Sequence, residues 1–138
     1  MPNLHSTEWA WYILQLLVSA FVGVLFLQSG LDKVLDRAGN RQYLEEHFAR
    51  SPLAKTVGPM FLMVTILEVA AGVMSGLGFL LLLVTRDSTV AYFGSVIAGI
   101  NLVALFFGQR VSKDYAGAAA LVPYFLLALA GVYLLAAR

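Results

Sequence analysis

The stretch FLMVTILEVAAGVMSG, residues 61–76, decides the fold because it carries one charged residue, Glu68, in a run that is otherwise apolar or small. Glu68 is also the only charge between residues 56 and 85. A segment this long and this apolar is typical of a helix that crosses a lipid bilayer. Counted from residue 57, Glu68 lies about 11 residues, or roughly 16 Å, inside the predicted helix.

The composition extends this interpretation to the whole chain. Of 138 residues, 60% are hydrophobic and 12% are charged, and the mean hydropathy is +0.82. Soluble domains carry about 25% charged residues. The formal net charge is only +1, which gives no reason to expect nucleic acid as a partner. The sequence therefore predicts an integral membrane protein in contact with the lipid bilayer.

Four stretches are long enough to cross a hydrocarbon core of about 30 Å at about 1.5 Å per residue. They comprise residues 9–31, 57–84, 88–109 and 115–137. We expect the first to be a retained span, because it lacks the basic leading segment and the A-x-A site of a signal peptide. The predicted fold is one all-α integral membrane domain, residues 1–138, forming a four-transmembrane-helix bundle.

The connection between the first two spans contains a pattern of its own. In NRQYLEEHFARSP, residues 40–52, the apolar and aromatic side chains share one helical face, and the charged side chains occupy the other. This pattern predicts a short amphipathic helix in the membrane interface.

Basic residues are distributed unevenly between the two predicted sides of the membrane. One side has Arg86 and Arg138, and the two loops of the other side hold seven basic residues: Lys33, Arg37, Arg41, Arg50, Lys55, Arg110 and Lys113. Because loops rich in lysine and arginine stay in the cytoplasm, we expect both termini outside it.

Small residues recur at four-residue spacing in the predicted spans. The pairs are Ser19 and Gly23, Gly72 and Gly76, and the triplet Ala91, Ser95 and Gly99. This spacing lets helix backbones approach closely in lipid. We expect packing within the bundle, and a helix of another subunit is the alternative.

Several polar residues could contact Glu68 inside the bundle. An ionised carboxylate facing lipid is costly, so Glu68 is expected to face the bundle interior, protonated unless a cation pairs with it. By depth, Asn101, Tyr124 and Gln28 lie in the same half of the bundle. Two interpretations follow: a hydrogen-bonded group that fixes helix register, or a site that binds a polar headgroup such as a quinone carbonyl, or relays a proton.

Other polar residues have simpler explanations. Lys33 at the end of the first span is expected to extend towards water, and Asp114 to cap the fourth span. Arg110 and Lys113 are expected to anchor the protein at the interface, where both could also receive an acidic partner or a lipid headgroup. His47 is expected to be part of the amphipathic surface rather than a ligand.

The chain has no cysteine, and its two histidines lie outside the predicted spans. Thiol redox chemistry, iron–sulfur ligation and an intramembrane haem ligand therefore have no residues to support them. We expect no intrinsic cofactor and no metal site.

Three segments resemble the DoxX family of small bacterial membrane proteins: FLQSGLDKVLD (residues 26–36), LEVAAG (residues 67–72) and GQRVSKDYAGAAALVPYFLLALAGVYLL (residues 108–135). The likeness extends over nearly the whole chain. Gly30 and Lys33 match the family's G-x-x-K feature, and Glu68 with Gly72 resembles its glutamate-then-glycine feature.

The resemblance implies a small subunit of a quinol oxidase or a related quinone-linked complex in the bacterial inner membrane. We expect an accessory, non-catalytic chain with other membrane subunits as partners and a quinone or lipid contact near Glu68. A stand-alone transporter of a small molecule is the alternative, and a quinone-linked enzyme is the third possibility.

Overall fold

The computed structural model describes residues 5–137, and this part of the chain is all-α. Its helices are α1 (Thr7–Leu35), α2 (Arg37–His47), α3 (Val57–Thr85), α4 (Thr89–Val111), α5 (Tyr115–Ala120) and α6 (Val122–Leu135), with a 3₁₀ turn at Ala54–Thr56. Two parts of the sequence lie outside the described residues: residues 1–4 and Arg138. The predicted domain included residues 1–4, and the count of basic residues included Arg138.

Four segments of the described chain are long and apolar enough to span a membrane: α1, the 3₁₀ turn with α3, α4, and α5 with α6. The predicted four-helix membrane bundle is therefore confirmed. The first helix runs to Leu35, about one turn beyond the predicted end at residue 31. The predicted span ended at the first charge, whereas the helix includes Asp32 and Lys33 and is capped by Asp36, whose N–H donates to the Asp32 carbonyl oxygen.

The helices follow one another around the bundle. α1 packs mainly against α3, α3 against α4, and α4 against α6, and α6 closes the ring on α1. We call the end that carries α2 and the α4–α5 turn the basic end. The opposite end, where α1 begins and α6 ends, is the terminal end, and the α3–α4 turn also lies there.

Glycines bring the α1 and α3 backbones together. A Cβ atom on Gly72 would lie 2.5 Å from the Leu27 backbone nitrogen, and one on Gly30 would lie 3.1 Å from that of Val69. Such distances leave no room for a side chain, so the small residues serve packing within the bundle, as predicted. Gly99 is an exception, since a Cβ there would meet nothing within 4 Å.

The fourth span is not the continuous helix that the sequence predicted. It breaks at Leu121, whose N–H donates to the Ala118 carbonyl oxygen at 3.1 Å in a tighter turn. Pro123 explains the break, because proline has no N–H to continue the α-helical hydrogen-bond ladder. The break separates the six-residue α5 from α6.

Side chains of α1 satisfy carbonyl groups at the terminal end. The Tyr12 hydroxyl donates to the Leu82 carbonyl oxygen at 2.8 Å, and the Gln15 amide donates to that of Leu134 at 2.8 Å. The Leu134 carbonyl lies in the last turn of α6, where carbonyls have no partner within the helix, whereas the Leu82 carbonyl also accepts the Arg86 N–H at 3.1 Å. These bonds therefore fasten the ends of α3 and α6 to α1.

Candidate functional site

Glu68 is buried at the interface of α1 and α3, with a relative exposure of 3%. The expectation that this acid faces the bundle interior is confirmed. Its carboxylate oxygen Oε2 accepts a hydrogen bond from Lys33 Nζ at 2.9 Å, and the Lys33 side chain is only 19% exposed. The two residues form a largely buried ion pair.

This partner corrects the expectation for Lys33, which does not extend away from the bundle. Side chains on a helix lean towards the helix N-terminus. Because α1 runs towards the basic end and α3 runs away from it, Lys33 leans into the bundle and Glu68 leans back towards the basic end. The two side chains converge, although their positions along the chain suggested different depths.

The sequence contained a signal for this pair. Gly30 and Lys33 lie about one turn apart on α1, and Glu68 and Gly72 lie about one turn apart on α3. The glycines permit close approach of two antiparallel helices, which brings the adjacent lysine and glutamate together. Considering the glycine and the charge of each helix as one unit would have identified Lys33 as the cation.

Asn101 of α4 is fully buried beside this pair. Its side chain is close enough to interact with the Glu68 carboxyl group. Neither of its polar atoms makes a hydrogen bond of standard geometry, however. A buried amide without hydrogen bonds costs about 1–3 kcal/mol. Asn101 is therefore a buried polar neighbour of Glu68 whose hydrogen-bonding capacity is not fully used.

A partly open cavity of about 180 Å³ adjoins Lys33 and is lined mainly by α2, α3 and α4. We call it the α2 cavity. Most of its wall is apolar or aromatic, including Met60, Met63 and Leu105. Lys33 contributes to the wall, as do Asn40, His47 and Gln109. An apolar chamber with a few polar groups is the usual form of a small-molecule site.

The short helix α2 covers this cavity. A short helix is present as predicted, but it spans Arg37–His47 rather than residues 40–52, and Phe48, just beyond its end, is buried next to Gly108 of α4. His47 Nε2 lies 2.9 Å from Gln109 Oε1 and 3.5 Å from Asp114 Oδ2. His47 was expected to be plain amphipathic surface, but in the structure it links α2 to the end of α4 and the start of α5.

The remaining candidates at the basic end have structural contacts. Asp114 caps α5 as predicted, accepting a hydrogen bond from the Gly117 N–H at 2.9 Å. The Arg110 guanidinium lies over the Tyr115 ring at 4.5 Å. Lys113 is exposed in the α4–α5 turn with a φ of 62°. Exposed cations at this end are available to lipid headgroups.

Two predicted members of the Glu68 group lie elsewhere. Tyr124 is 38% exposed and lines a separate groove between α1 and α6, together with Leu14 and Phe21. Gln28 is exposed on α1. Both were chosen by depth alone, and depth does not determine which side of a helix faces the bundle. The structure therefore reduces the predicted group to Glu68 and Asn101 and adds Lys33.

The resulting site combines an ion pair, a buried amide beside it and a largely apolar cavity next to Lys33. Lys33 has three N–H donors, of which Glu68 accepts one. The other donors could bind a carbonyl or phosphate oxygen. Within residues 5–137, no group of three or more histidine, cysteine, aspartate or glutamate side chains is placed to hold a metal ion.

No family model, curated protein or solved structure matches the chain. The likeness to the DoxX family, the redox complex and the quinone or lipid ligand therefore stay predictions.

Proposed function

We propose that this chain is an accessory subunit of a larger bacterial respiratory or redox membrane complex, and that its α2 cavity holds the headgroup of a quinone or a lipid. The observation that carries the proposal is the position of Lys33, the ion-pair partner of the buried Glu68, in the wall of a largely apolar cavity. Intramembrane charged pairs are expensive and usually mark functional sites.

The size of the cavity favours a small headgroup. A protein cavity of roughly 150 Å³ accommodates one benzene molecule, so about 180 Å³ fits a single six-membered ring. Lys33 could donate a hydrogen bond to a carbonyl oxygen of the ring, and Gln109 or His47 could bond a second polar group. Tyr43 and Met63 at its edge are 62% and 46% exposed, so an attached tail could leave towards the lipid.

The amino-acid composition favours an accessory role. Electron transfer needs a redox centre, and the chain has no cysteine and only two histidines. We infer that partner subunits supply the redox cofactors and that this chain contributes the ligand cavity.

The proposal can be tested with a substitution that fills the α2 cavity and leaves the charge of the protein unchanged. In Ala104→Phe the new ring would project from the cavity wall, whereas Ala119→Phe adds the same ring at an exposed position of α5. In a strain without the chain, quinone-dependent respiration of isolated membranes is expected to fall. Ala119→Phe should restore it, and Ala104→Phe should not, although both proteins reach the membrane at equal amounts. Equal restoration by both would contradict the proposal.

The alternative is a stand-alone transporter, which is favoured by the buried ion pair beside an unsatisfied Asn101. The two functions differ in what the purified chain does. A subunit should co-purify in mild detergent with proteins that carry redox cofactors. A transporter should take up its substrate in proteoliposomes without partners, and Glu68→Gln should abolish that uptake.

We also propose that the protein lies in the bacterial inner membrane with both termini in the periplasm, on the basis of the distribution of basic residues. Because the chain has no cysteine, single cysteines give unambiguous labels. In intact cells, a membrane-impermeant maleimide should label Thr85→Cys at the terminal end and leave Arg50→Cys at the basic end unlabelled. The reverse pattern would invert the orientation.

A further inference from the structure

A second cavity lies on the other side of Lys33, between the end of α1 and the first turns of α3. It has a volume of about 130 Å³ and is lined by Lys33, Val34, Arg37, Phe61, Leu62 and Thr65. We call it the α1–α3 cavity. It does not contain His47, Gln109 or any α2-cavity residue except Lys33. An inference about it does not depend on the proposed function.

Two cations dominate the polar part of this cavity. Lys33 lies in the last turn of α1 and Arg37 is the first residue of α2, and both side chains line the cavity. Within the described chain, no carboxylate lies within ion-pair distance of Arg37, and Glu68 accepts only one of the N–H donors of Lys33. Among the described residues, Arg37 is therefore a cation without an ion pair at the cavity wall, with Asp32 and Asp36 nearby in the sequence, and Lys33 has N–H donors that Glu68 does not use.

The apolar part of the cavity continues along the surface of the bundle. Val34 and Leu62 are 55% and 52% exposed, and Ile66, about one turn further along α3, is 57% exposed. Charged donors at the basic end thus adjoin an apolar path that runs along α3 into the membrane span. This combination matches a molecule with an anionic head and a long hydrocarbon chain.

We propose that the α1–α3 cavity binds one anionic phospholipid, with its phosphate group at Arg37 and Lys33 and an acyl chain along Val34, Leu62 and Ile66. Basic pockets between membrane helices are suited to anionic headgroups. Arginine binds phosphate through two parallel hydrogen bonds, which gives the headgroup a defined position. Lys33 then contacts the lipid on one side and borders the α2 cavity on the other.

The test measures which lipids the full-length chain retains. The protein is placed in nanodiscs that contain equal amounts of phosphatidylglycerol and phosphatidylcholine, released into mild detergent, and analysed by native mass spectrometry. Wild type should retain one phosphatidylglycerol in preference to phosphatidylcholine. Arg37→Gln should lower this retention about fivefold, the effect typical of one basic residue at a membrane surface.

Two matched variants separate a defined site from general attraction. Arg50→Gln removes the same charge from an exposed position outside the cavity and should leave retention unchanged. Val34→Trp obstructs the cavity without changing charge and should lower retention as Arg37→Gln does. Equal losses in Arg37→Gln and Arg50→Gln, or full retention in Val34→Trp, would overturn the proposal.

A soluble competitor distinguishes the lipid from its headgroup. Glycerol phosphate carries the same phosphate chemistry without an acyl chain. An excess of it should leave the retained phosphatidylglycerol in place, because the apolar path contributes to binding. Displacement by glycerol phosphate would overturn the assignment of a phospholipid as the occupant.

Discussion

At the scale of single residues, the direction of a side chain determines its contacts more than its depth in the membrane does. The sequence predicted that Glu68 faces inward, because a carboxylate in lipid is too costly, and its 3% exposure agrees. Depth in the membrane could not predict that Lys33 pairs with Glu68, and it could not exclude Tyr124 from the polar residues around Glu68. Those outcomes depend on the lean of each side chain and on the side of the helix that carries it.

Asp87 in the α3–α4 turn provides a residue-scale prediction about pH. Its carboxylate accepts hydrogen bonds from the Thr89 backbone N–H at 3.0 Å and from the Thr89 hydroxyl at 2.7 Å. These bonds hold the pKa of Asp87 below its ordinary value of 3.8. The folded protein therefore gains stability from ionised Asp87 above the ordinary pKa and loses it as the pH falls through the lowered pKa.

A carbon-detected NMR titration in detergent micelles should give an Asp87 midpoint below 3.8. Thr89→Val removes the hydroxyl donor and retains the backbone donor, so its midpoint should lie between that of wild type and the ordinary value. A wild-type midpoint at or above the ordinary value would show that these hydrogen bonds do not favour the carboxylate.

At the scale of elements, the sequence predicted the spans better than their irregularities. Apolar length located the four membrane-spanning segments. The break at Leu121 depends on a single missing N–H at Pro123, and the position of α2 depends on contacts with α4 that are distant in sequence. Periodicity describes one helix at a time, so it could not predict that α2 covers a cavity.

The glycine contacts between helices can be tested with two equal substitutions. Gly72→Ala would place a Cβ atom 2.5 Å from the Leu27 nitrogen, whereas the same change at Gly99 meets nothing within 4 Å. We expect Gly72→Ala to lower the free energy of unfolding by about 1–3 kcal/mol. Gly99→Ala should leave it unchanged or raise it by up to about 1 kcal/mol.

Unfolding both variants in mixed micelles with increasing dodecyl sulfate would measure these differences. If the two alanines had the same effect, close α1–α3 contact at Gly72 would not be a determinant of the bundle.

The attachment of α2 gives a second prediction at this scale. His47 bonds Gln109, and that contact joins α2 to α4. Gln109→Leu has a similar size and removes the hydrogen-bonding oxygen, so α2 should open more often. Hydrogen–deuterium exchange should rise severalfold across residues 37–47 and stay constant in α3. Gln42→Leu on α2, which loses only an exposed contact with Glu46, is the matched control.

At the scale of the whole molecule, composition determined the fold class and left the function open. A chain with so few charges must place its apolar surface in lipid, and helices satisfy their backbone hydrogen bonds there. The bundle then needs polar or close contacts to hold together, because lipid gives no hydrophobic drive for association. The Lys33–Glu68 pair supplies one such contact, and Lys33 lines both cavities at the basic end.

The Lys33–Glu68 ion pair is the central contact of the site, and a double-mutant cycle measures its strength directly. The unfolding free energies of wild type, Lys33→Met, Glu68→Gln and the double variant would be measured in mixed micelles. Removing one partner of a buried pair costs about 3–5 kcal/mol because the other charge stays buried and unpaired, and Glu68→Gln should fall near the lower end because the Lys33 that remains is partly exposed. We predict a coupling energy of about 1–3 kcal/mol between the two positions. Additive effects, within about 0.5 kcal/mol, would contradict the account.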